Sequence, residues 1–148
     1  MKTKVIFLVF SIFFTINTAF AQKKKDAKSI INEKVAIKKY HNKAELQAMQ
    51  KGELLTLYIE RIESLVKTLP YIAFATKPGV TMTTLGIPNT SDNRKMLDMQ
   101  FEETDKYLGS TKEFQNTFLP YSDTQNLIAA ILFYEEIMKS LHTYSEFR

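Results

Sequence analysis

Two histidines, 16 acidic residues and no cysteine limit the chemistry open to this chain of 148 residues. His142 and Glu146 are four residues apart, a spacing that places two metal ligands on one face of a helix, but the sequence offers no further ligands to complete a site. A di-iron bundle requires the motif Glu-x-x-His, whereas Lys139 stands three residues before His142 and Lys38 three before His41. We therefore expect no metal site and no cofactor.

Other catalytic patterns are also missing from the sequence. The absence of Cys excludes cysteine nucleophiles, disulfides and c-type haem attachment. There is no glycine-rich phosphate loop, no Gly-x-Ser-x-Gly motif and no convincing Ser/His/Asp set. The acidic run of Glu102, Glu103 and Asp105 is typical of a solvated helix face, and the stretch from Asn89 to Asp92 is too short for a calcium loop. The sequence thus predicts a protein that is not an enzyme and has no catalytic residues.

Residues 1–21 have the features of a cleavable signal peptide. Lys2 and Lys4 precede an apolar run from Val5 to Ile16, and Ala19-x-Ala21 is the small-residue pattern that precedes a signal-peptidase site. The run has about 12 residues, fewer than the roughly 20 that a membrane-spanning helix needs. An uncleaved membrane anchor is the alternative interpretation. We expect export and a single helical domain over residues 22–148 with no transmembrane span.

The periplasm is the expected location of residues 22–148. An extracellular or outer-membrane-associated location is the alternative. The absence of cysteine excludes a lipid-modified N-terminal cysteine and hence a bacterial lipoprotein.

Positive charge is concentrated at the start of this domain. The whole chain has a formal net charge of +4, but residues 22–43 contain eight lysines and two acidic residues, and the remainder is acidic. We favour the interpretation of this basic arm as a solubilising, partly frayed terminus; the alternative is that it contacts anionic lipid, lipopolysaccharide or an acidic protein face. Export makes nucleic acid an unexpected partner. The arm begins with four lysines: Lys23, Lys24, Lys25 and Lys28.

Hydrophobic residues recur with the period of a helix through most of the domain, which predicts an all-α antiparallel bundle of about four helices. One predicted helix covers residues 42–69, with Asn42 and Glu45 as a capping box and a bend near Gly52. A weaker helix over residues 26–40 is either fused to it or separate.

Three further helices are predicted towards the C-terminus. One begins at Ser91 and ends at Gly109, and a short one follows from a capping box at Ser110. The last begins at a capping box of Ser122 and Gln125. It is the most apolar helix, so we expect it to be central, with Ile131 facing inwards and Glu135 facing water.

The connection over residues 70–91 departs from the helical pattern. Five of the chain's eight glycine and proline residues lie here, yet Lys77 is its only charge before Asp92. Connections between helices usually have about 2–8 residues, and longer ones are functional or disordered. The segments 71–76 and 80–85 are able to pair as a small hairpin. We expect either a lid over one end of the bundle or a partner-binding surface formed by Tyr71, Phe74, Val80, Met82, Leu85 and Ile87.

Together these features indicate a non-enzymatic exported bacterial protein. The favoured function is that of a binding or assembly protein, an accessory subunit of an outer-membrane or secretion complex whose partner is a cell-envelope protein. The alternative is a small periplasmic carrier or inhibitor that binds a hydrophobic ligand or a target protein through residues 70–91.

We predict that signal peptidase cleaves after Ala21, because the Ala-x-Ala pattern lies at the correct distance from the apolar run. N-terminal sequencing of the exported protein should therefore begin at Gln22. Recovery of a chain that starts at Met1 from the membrane fraction would support the anchor instead.

Overall fold

Four α-helices make up most of the chain that this computed structural model describes, which comprises residues 27–32, 35 and 37–145. They are α1 (Lys43–Gln47), α2 (Lys51–Thr68), α3 (Ser91–Phe118) and α4 (Thr124–Ser145), with 3₁₀ turns at Leu69–Tyr71, Thr83–Leu85 and Leu119–Tyr121. About 70% of these residues are helical and none forms a strand, so the all-α prediction is confirmed. None of the described helices is long and apolar enough to cross a membrane.

The three long helices run up, down and up, with α2 in the middle. Near the start of α2, the Lys51 ammonium donates to the carbonyls of Pro120 and Ser122, 2.7 and 2.8 Å away, and near its end Lys67 lies 3.2 Å from Asp105. Therefore α2 and α3 are antiparallel, and α4 runs parallel to α2. Because α2 packs against both α3 and α4, the expectation that the last helix is central is wrong.

The predicted helix over residues 42–69 is divided into α1 and α2. The capping box at its start is confirmed, since Asn42 and Glu45 exchange two hydrogen bonds of 2.9 Å. The division lies at residues 48–50, just before the glycine where a bend was expected. There the Gln50 N–H donates to the Glu53 carboxylate at 2.8 Å and a second helix starts. The division leaves Leu46 of α1 and Leu54 of α2 fully buried in one cluster.

The helix predicted to end at Gly109 instead continues to Phe118. A glycine inside a helix costs about 1 kcal/mol relative to alanine, which the rest of a 28-residue helix tolerates. The hydroxyl of Ser110 donates to the Tyr107 carbonyl at 3.0 Å and caps nothing.

The start of α4 is also displaced from the predicted position. The side chain of Asp123 accepts the N–H groups of Gln125 and Asn126 at 2.8 and 3.2 Å, whereas the Ser122 hydroxyl donates to the Leu119 carbonyl. Aspartate is a strong N-cap residue, so the helix starts one residue later than expected.

The helix predicted over residues 26–40 is wrong for the described part of that range, which contains no helix. Ile30 N–H donates to the carbonyl of Val80 at 2.8 Å, and Ser29 forms an isolated antiparallel bridge with Thr81. This pairing involves Val80 and Thr81 of the predicted hairpin, while the N–H groups of Phe74 and Ala75 donate to the Tyr71 carbonyl in a turn, so the hairpin is not formed either. A tertiary partner has outweighed a weak local helix propensity.

The hydrophobic interior has two parts. The first core lies between α1, α2 and α4 and contains Leu46, Leu54, Leu127, Ile128 and Ile131. The second core contains Ile30, Ile31, Val35, Tyr71, Ala75, Met82 and Leu97. At 1.5 Å per residue α3 is about 42 Å long and α2 about 27 Å, so the first turns of α3 extend past the end of α2. The 70–91 connection together with Ile30, Ile31 and Val35 covers this overhang.

We predict that Ile131→Asp will unfold the protein or destabilise it by more than about 4 kcal/mol, because a charge without a partner would replace a fully buried side chain. Ala129→Asp is the matched control, since Ala129 is exposed on the same helix. Urea denaturation measures both. Equal midpoints for the two variants would contradict the assignment of the inner face of α4.

Candidate functional site

The structure brings most of the predicted partner-binding residues of the 70–91 connection together within the second core. Tyr71 and Met82 are 6% and 3% exposed, and the other members Val80, Leu85 and Ile87 are partly buried against the same cluster. Phe74 differs from them because it is 49% exposed. In this conformation the outer apolar surface of the connection is formed by Phe74 and its neighbour Ile72.

The basic arm and the histidine pair lie largely outside the described residues. Lys23, Lys24 and Lys25 are outside them, as are the side chain of His142 and all of Glu146, so those hypotheses stay predictions. Lys28 is described and forms an ion pair with Asp98 of α3. No three His, Cys, Asp or Glu side chains in the described part of the chain are grouped so as to hold a metal ion.

A buried charged cluster of Arg61, Glu135 and His41 was not anticipated. Glu135, expected to face water, is fully buried, and Arg61 is 1% exposed. The Arg61 Nε donates to Glu135 Oε1 at 2.9 Å, Nη2 lies 2.8 Å from the same oxygen, and His41 Nδ1 lies 3.1 Å from it. Arg61 and Glu135 thus join α2 to α4, with two guanidinium nitrogens in contact with one carboxylate oxygen.

The same cluster holds the chain segment before α1. Arg61 Nη2 donates to the Lys39 carbonyl at 2.7 Å, and the His41 N–H donates to Glu135 Oε2 at 2.6 Å. Burial raises the pKa of Glu135, but the hydrogen bonds from His41 and Arg61 and the charge of Arg61 outweigh it, so that the pKa lies below its ordinary value. Glu135 is therefore an ionised acceptor at neutral pH.

The sequence spacing contained a signal for this cluster. Glu135 follows Ile131 by four residues and precedes Met138 by three, so it belongs to the inner stripe of α4 by position. Arg61 similarly follows the buried Leu54 by seven residues and precedes the buried Leu65 by four. Charge was the reason for placing Glu135 outside, although helical position placed it inside.

The role that the contacts of this cluster support is structural: they hold parts of the chain together. The His41 side chain is 11% exposed and borders an open depression of about 290 Å³ that Thr56 also lines. The Thr56 hydroxyl, however, donates to the Gly52 carbonyl at 3.1 Å. The Arg61 and Glu135 side chains are bonded to each other and to the 39–41 segment, which makes this cluster a clamp between three parts of the chain.

An exposed row of large apolar side chains runs along α3. At about 100° per residue, its members lie within an arc of roughly 100° on one side of the helix. Each is more than half exposed, and the two phenylalanines stack with ring centroids 4.6 Å apart. We call this row the α3 apolar stripe; it consists of Met96, Met99, Tyr107, Phe114 and Phe118. Tyr121, in the turn that follows α3, and Phe133, on α4, are 88% and 61% exposed.

Comparison with known proteins adds no relative. No protein-family model, curated protein sequence or solved structure matches this chain.

We predict that Arg61→Met costs about 3–5 kcal/mol at pH 7, because it leaves the buried Glu135 carboxylate without its cation. Arg61→Met combined with Glu135→Leu should recover most of this loss, whereas Lys106→Met, which removes an exposed ion pair, should behave like wild type. Urea denaturation of wild type, these three variants and Glu135→Leu alone measures the coupling. Additive effects in the double variant would contradict a buried charge pair.

The same prediction carries a pH dependence. Since folding lowers the pKa of Glu135, the stability that it contributes is complete above the unfolded value of about 4.3 and is lost as pH falls through the folded value. Between about pH 5 and pH 3, wild type should therefore lose more stability than Glu135→Gln.

Proposed function

We propose that this chain is a non-enzymatic, exported bacterial binding protein that serves as an accessory or assembly subunit of a cell-envelope complex. The observation that carries the proposal is the α3 apolar stripe. Large apolar side chains that are exposed together on one side of a helix are candidates for an interaction site. Here a single helix presents two methionines and three aromatic rings to solvent.

The composition of the stripe favours a protein partner. Aromatic residues and methionine are enriched at the centre of protein interfaces, and an adaptable methionine pair lies at one end of the stripe with a rigid phenylalanine pair at the other. A partner helix or sheet edge laid along α3 would bury the row completely. Each large side chain that becomes buried contributes about 1.5–3 kcal/mol.

The charges around the stripe also favour a protein over a lipid surface. The exposed Glu103 lies within the same arc of the helix, and both Glu103 and Glu102 form ion pairs with Lys106. A carboxylate pressed into an apolar lipid layer is costly, whereas the polar rim of a protein interface accommodates it. Within the described residues, α3 carries more acidic than basic side chains, which does not favour an anionic membrane.

The carrier alternative has less geometric support. A pocket for a lipid-like ligand usually has about 300–1,000 Å³ and a predominantly apolar lining. The depression beside His41 has about 290 Å³ but is open and includes two glutamates, and a second groove between α2 and α3 has about 170 Å³ and a charged rim. Neither resembles a lipid pocket.

We predict that Phe114→Ser removes a stoichiometric partner that co-purifies with the wild-type protein from gently solubilised envelopes. The side chain is 60% exposed, so the melting temperature should stay close to that of wild type. Affinity purification and a thermal melt on the same samples measure the two effects.

Two matched variants locate the surface. Phe133→Ser alters an equally exposed phenylalanine on α4, and Phe74→Ser alters the exposed ring of the 70–91 connection. Retention of the partner by both would assign binding to the α3 apolar stripe, whereas its loss only with Phe74→Ser would assign binding to the connection. A wild-type protein that brings down no stoichiometric envelope protein would contradict the proposed function.

A further inference from the structure

A row of charged side chains runs along one edge of the α3 apolar stripe. Its four members lie within an arc of about 40° next to Met99, and all of them are exposed. In chain order they are Lys95, Glu102, Lys106 and Glu113. Their charges alternate in sign, and the intervals of seven, four and seven residues are symmetrical about position 104. Reading the row from its other end therefore exchanges every positive charge for a negative one.

Such a row is complementary to a reversed copy of itself. When a second α3 lies antiparallel to the first, with a two-fold axis near position 104, Lys95 of each copy faces Glu113 of the other. Glu102 faces Lys106 in the same way. Lys95 and Glu113 form no ion pair with any described residue of their own chain, so both are available for this contact. A two-fold interface between identical chains requires a self-complementary surface, and this charge order supplies one.

The apolar side chains fit the same register. The methionines of the stripe lie in the N-terminal half of α3 and its aromatic rings in the C-terminal half. The axis near position 104 brings Met96 of one copy within about two residues, or about 3 Å along the helix, of Phe114 of the other. Met99 comes equally near to Tyr107. Because methionine sulfur makes favourable contacts with aromatic rings, the antiparallel arrangement matches each methionine with a suitable neighbour.

The exposed area of the stripe is sufficient for a dimer of moderate affinity. Its five side chains are 54–68% exposed, and at about 200 Å² for a side chain of this size they leave about 600 Å² open on each copy. Two copies can therefore bury about 1,200 Å² before the flanking residues are counted, which is the lower limit for a specific interface of standard size. Association in the micromolar range is the expected result.

Glu103 limits the affinity of this arrangement. Its exposed carboxylate lies within the arc of the stripe, one residue from the two-fold axis, so that the two copies of Glu103 approach each other. Each is bound to Lys106 of its own chain at 2.8 Å, which reduces the repulsion without abolishing it. A second copy held in this way is exchangeable.

We propose that a second copy of this chain covers the α3 apolar stripe in the isolated protein, forming an antiparallel two-fold dimer about position 104 of α3. The inference rests on the proposed function in one respect, since it takes the stripe as the interaction surface. The second copy keeps the stripe out of water until an envelope partner takes its place.

Sedimentation equilibrium of the purified wild-type protein at low ionic strength, where exposed charges are least screened, tests the association. We expect a monomer–dimer equilibrium with a Kd below about 100 µM. Phe114→Ser should weaken it at least about tenfold, and Glu103→Gln should strengthen it at least about threefold. A wild type that stays monomeric at about 500 µM, or a dimer that Phe114→Ser leaves unchanged, would overturn the proposal. A Glu103→Gln dimer no tighter than wild type would contradict the register.

Reversed charges test the antiparallel register directly. Lys95→Glu and Glu113→Lys each place like charges at both symmetry-related contacts, so each variant alone should dimerise at least about tenfold more weakly than wild type. An equimolar mixture of the two variants should recover the dimer, because every contact then joins opposite charges again. Within one chain the two positions are 18 residues apart, or about 27 Å, so the recovery has to arise between copies.

Lys112→Glu is the matched control. It makes the same change of charge at an exposed lysine on the side of α3 that faces α2, and it should dimerise like wild type. Thermal melts of all variants verify that they are folded. A mixture that recovers no dimer would overturn the antiparallel register. A dimer without an envelope partner would refute only the proposed function, and an envelope partner for a protein that is monomeric when isolated would refute only this inference.

Discussion

The buried contact between Arg61 and Glu135 is the constraint on which the arrangement of the chain depends. Neither charge tolerates burial without the other, so α2 and α4 have to pack in the register that joins them. The remaining hydrogen-bonding groups are then used by the Lys39 carbonyl and the backbone and ring of His41. The chain before α1 is thereby held across both helices, and this path leads back to Ile30 and Ile31 in the second core.

This constraint also divides the molecule into parts of different character. The interface of α2 with α4 is closed by leucine and isoleucine side chains and by the charged cluster. The interface of α2 with α3 is more polar: of the buried residues on α3, one is Leu97 and the other is Gln115. At its N-terminal end α3 gains a second attachment, because Tyr71 packs edge-on against Phe101 and the 70–91 connection covers the overhang.

The helical period of the apolar residues was sufficient to predict an all-α bundle, and one helix start, at Asn42, followed from a capping box alone. Predictions failed where a local signal competed with a distant partner. Residues 26–40 have helical spacing, but Val80 accepts the N–H of Ile30. Glu135 was placed in water because it is charged, since a sequence does not reveal that Arg61 stands opposite. The prediction that a helix ends at Gly109 was wrong because one glycine lowers helix stability without ending a long helix.

The same reasoning explains why the main candidate binding surface lies on α3. A helix that packs through a continuous apolar stripe buries most of its large apolar side chains. By contrast, the side of α3 that faces α2 is mixed and includes Thr111, Lys112 and Gln115. Five of its large apolar side chains are turned to solvent in the α3 apolar stripe, whereas Leu97 and Phe101 pack into the second core. Placing Met96 and Phe114 outside and Gln115 inside reverses the arrangement that would maximise the stability of the isolated chain. Such a reversal is the expected signature of a helix whose composition is set by what it binds as well as by the fold that carries it.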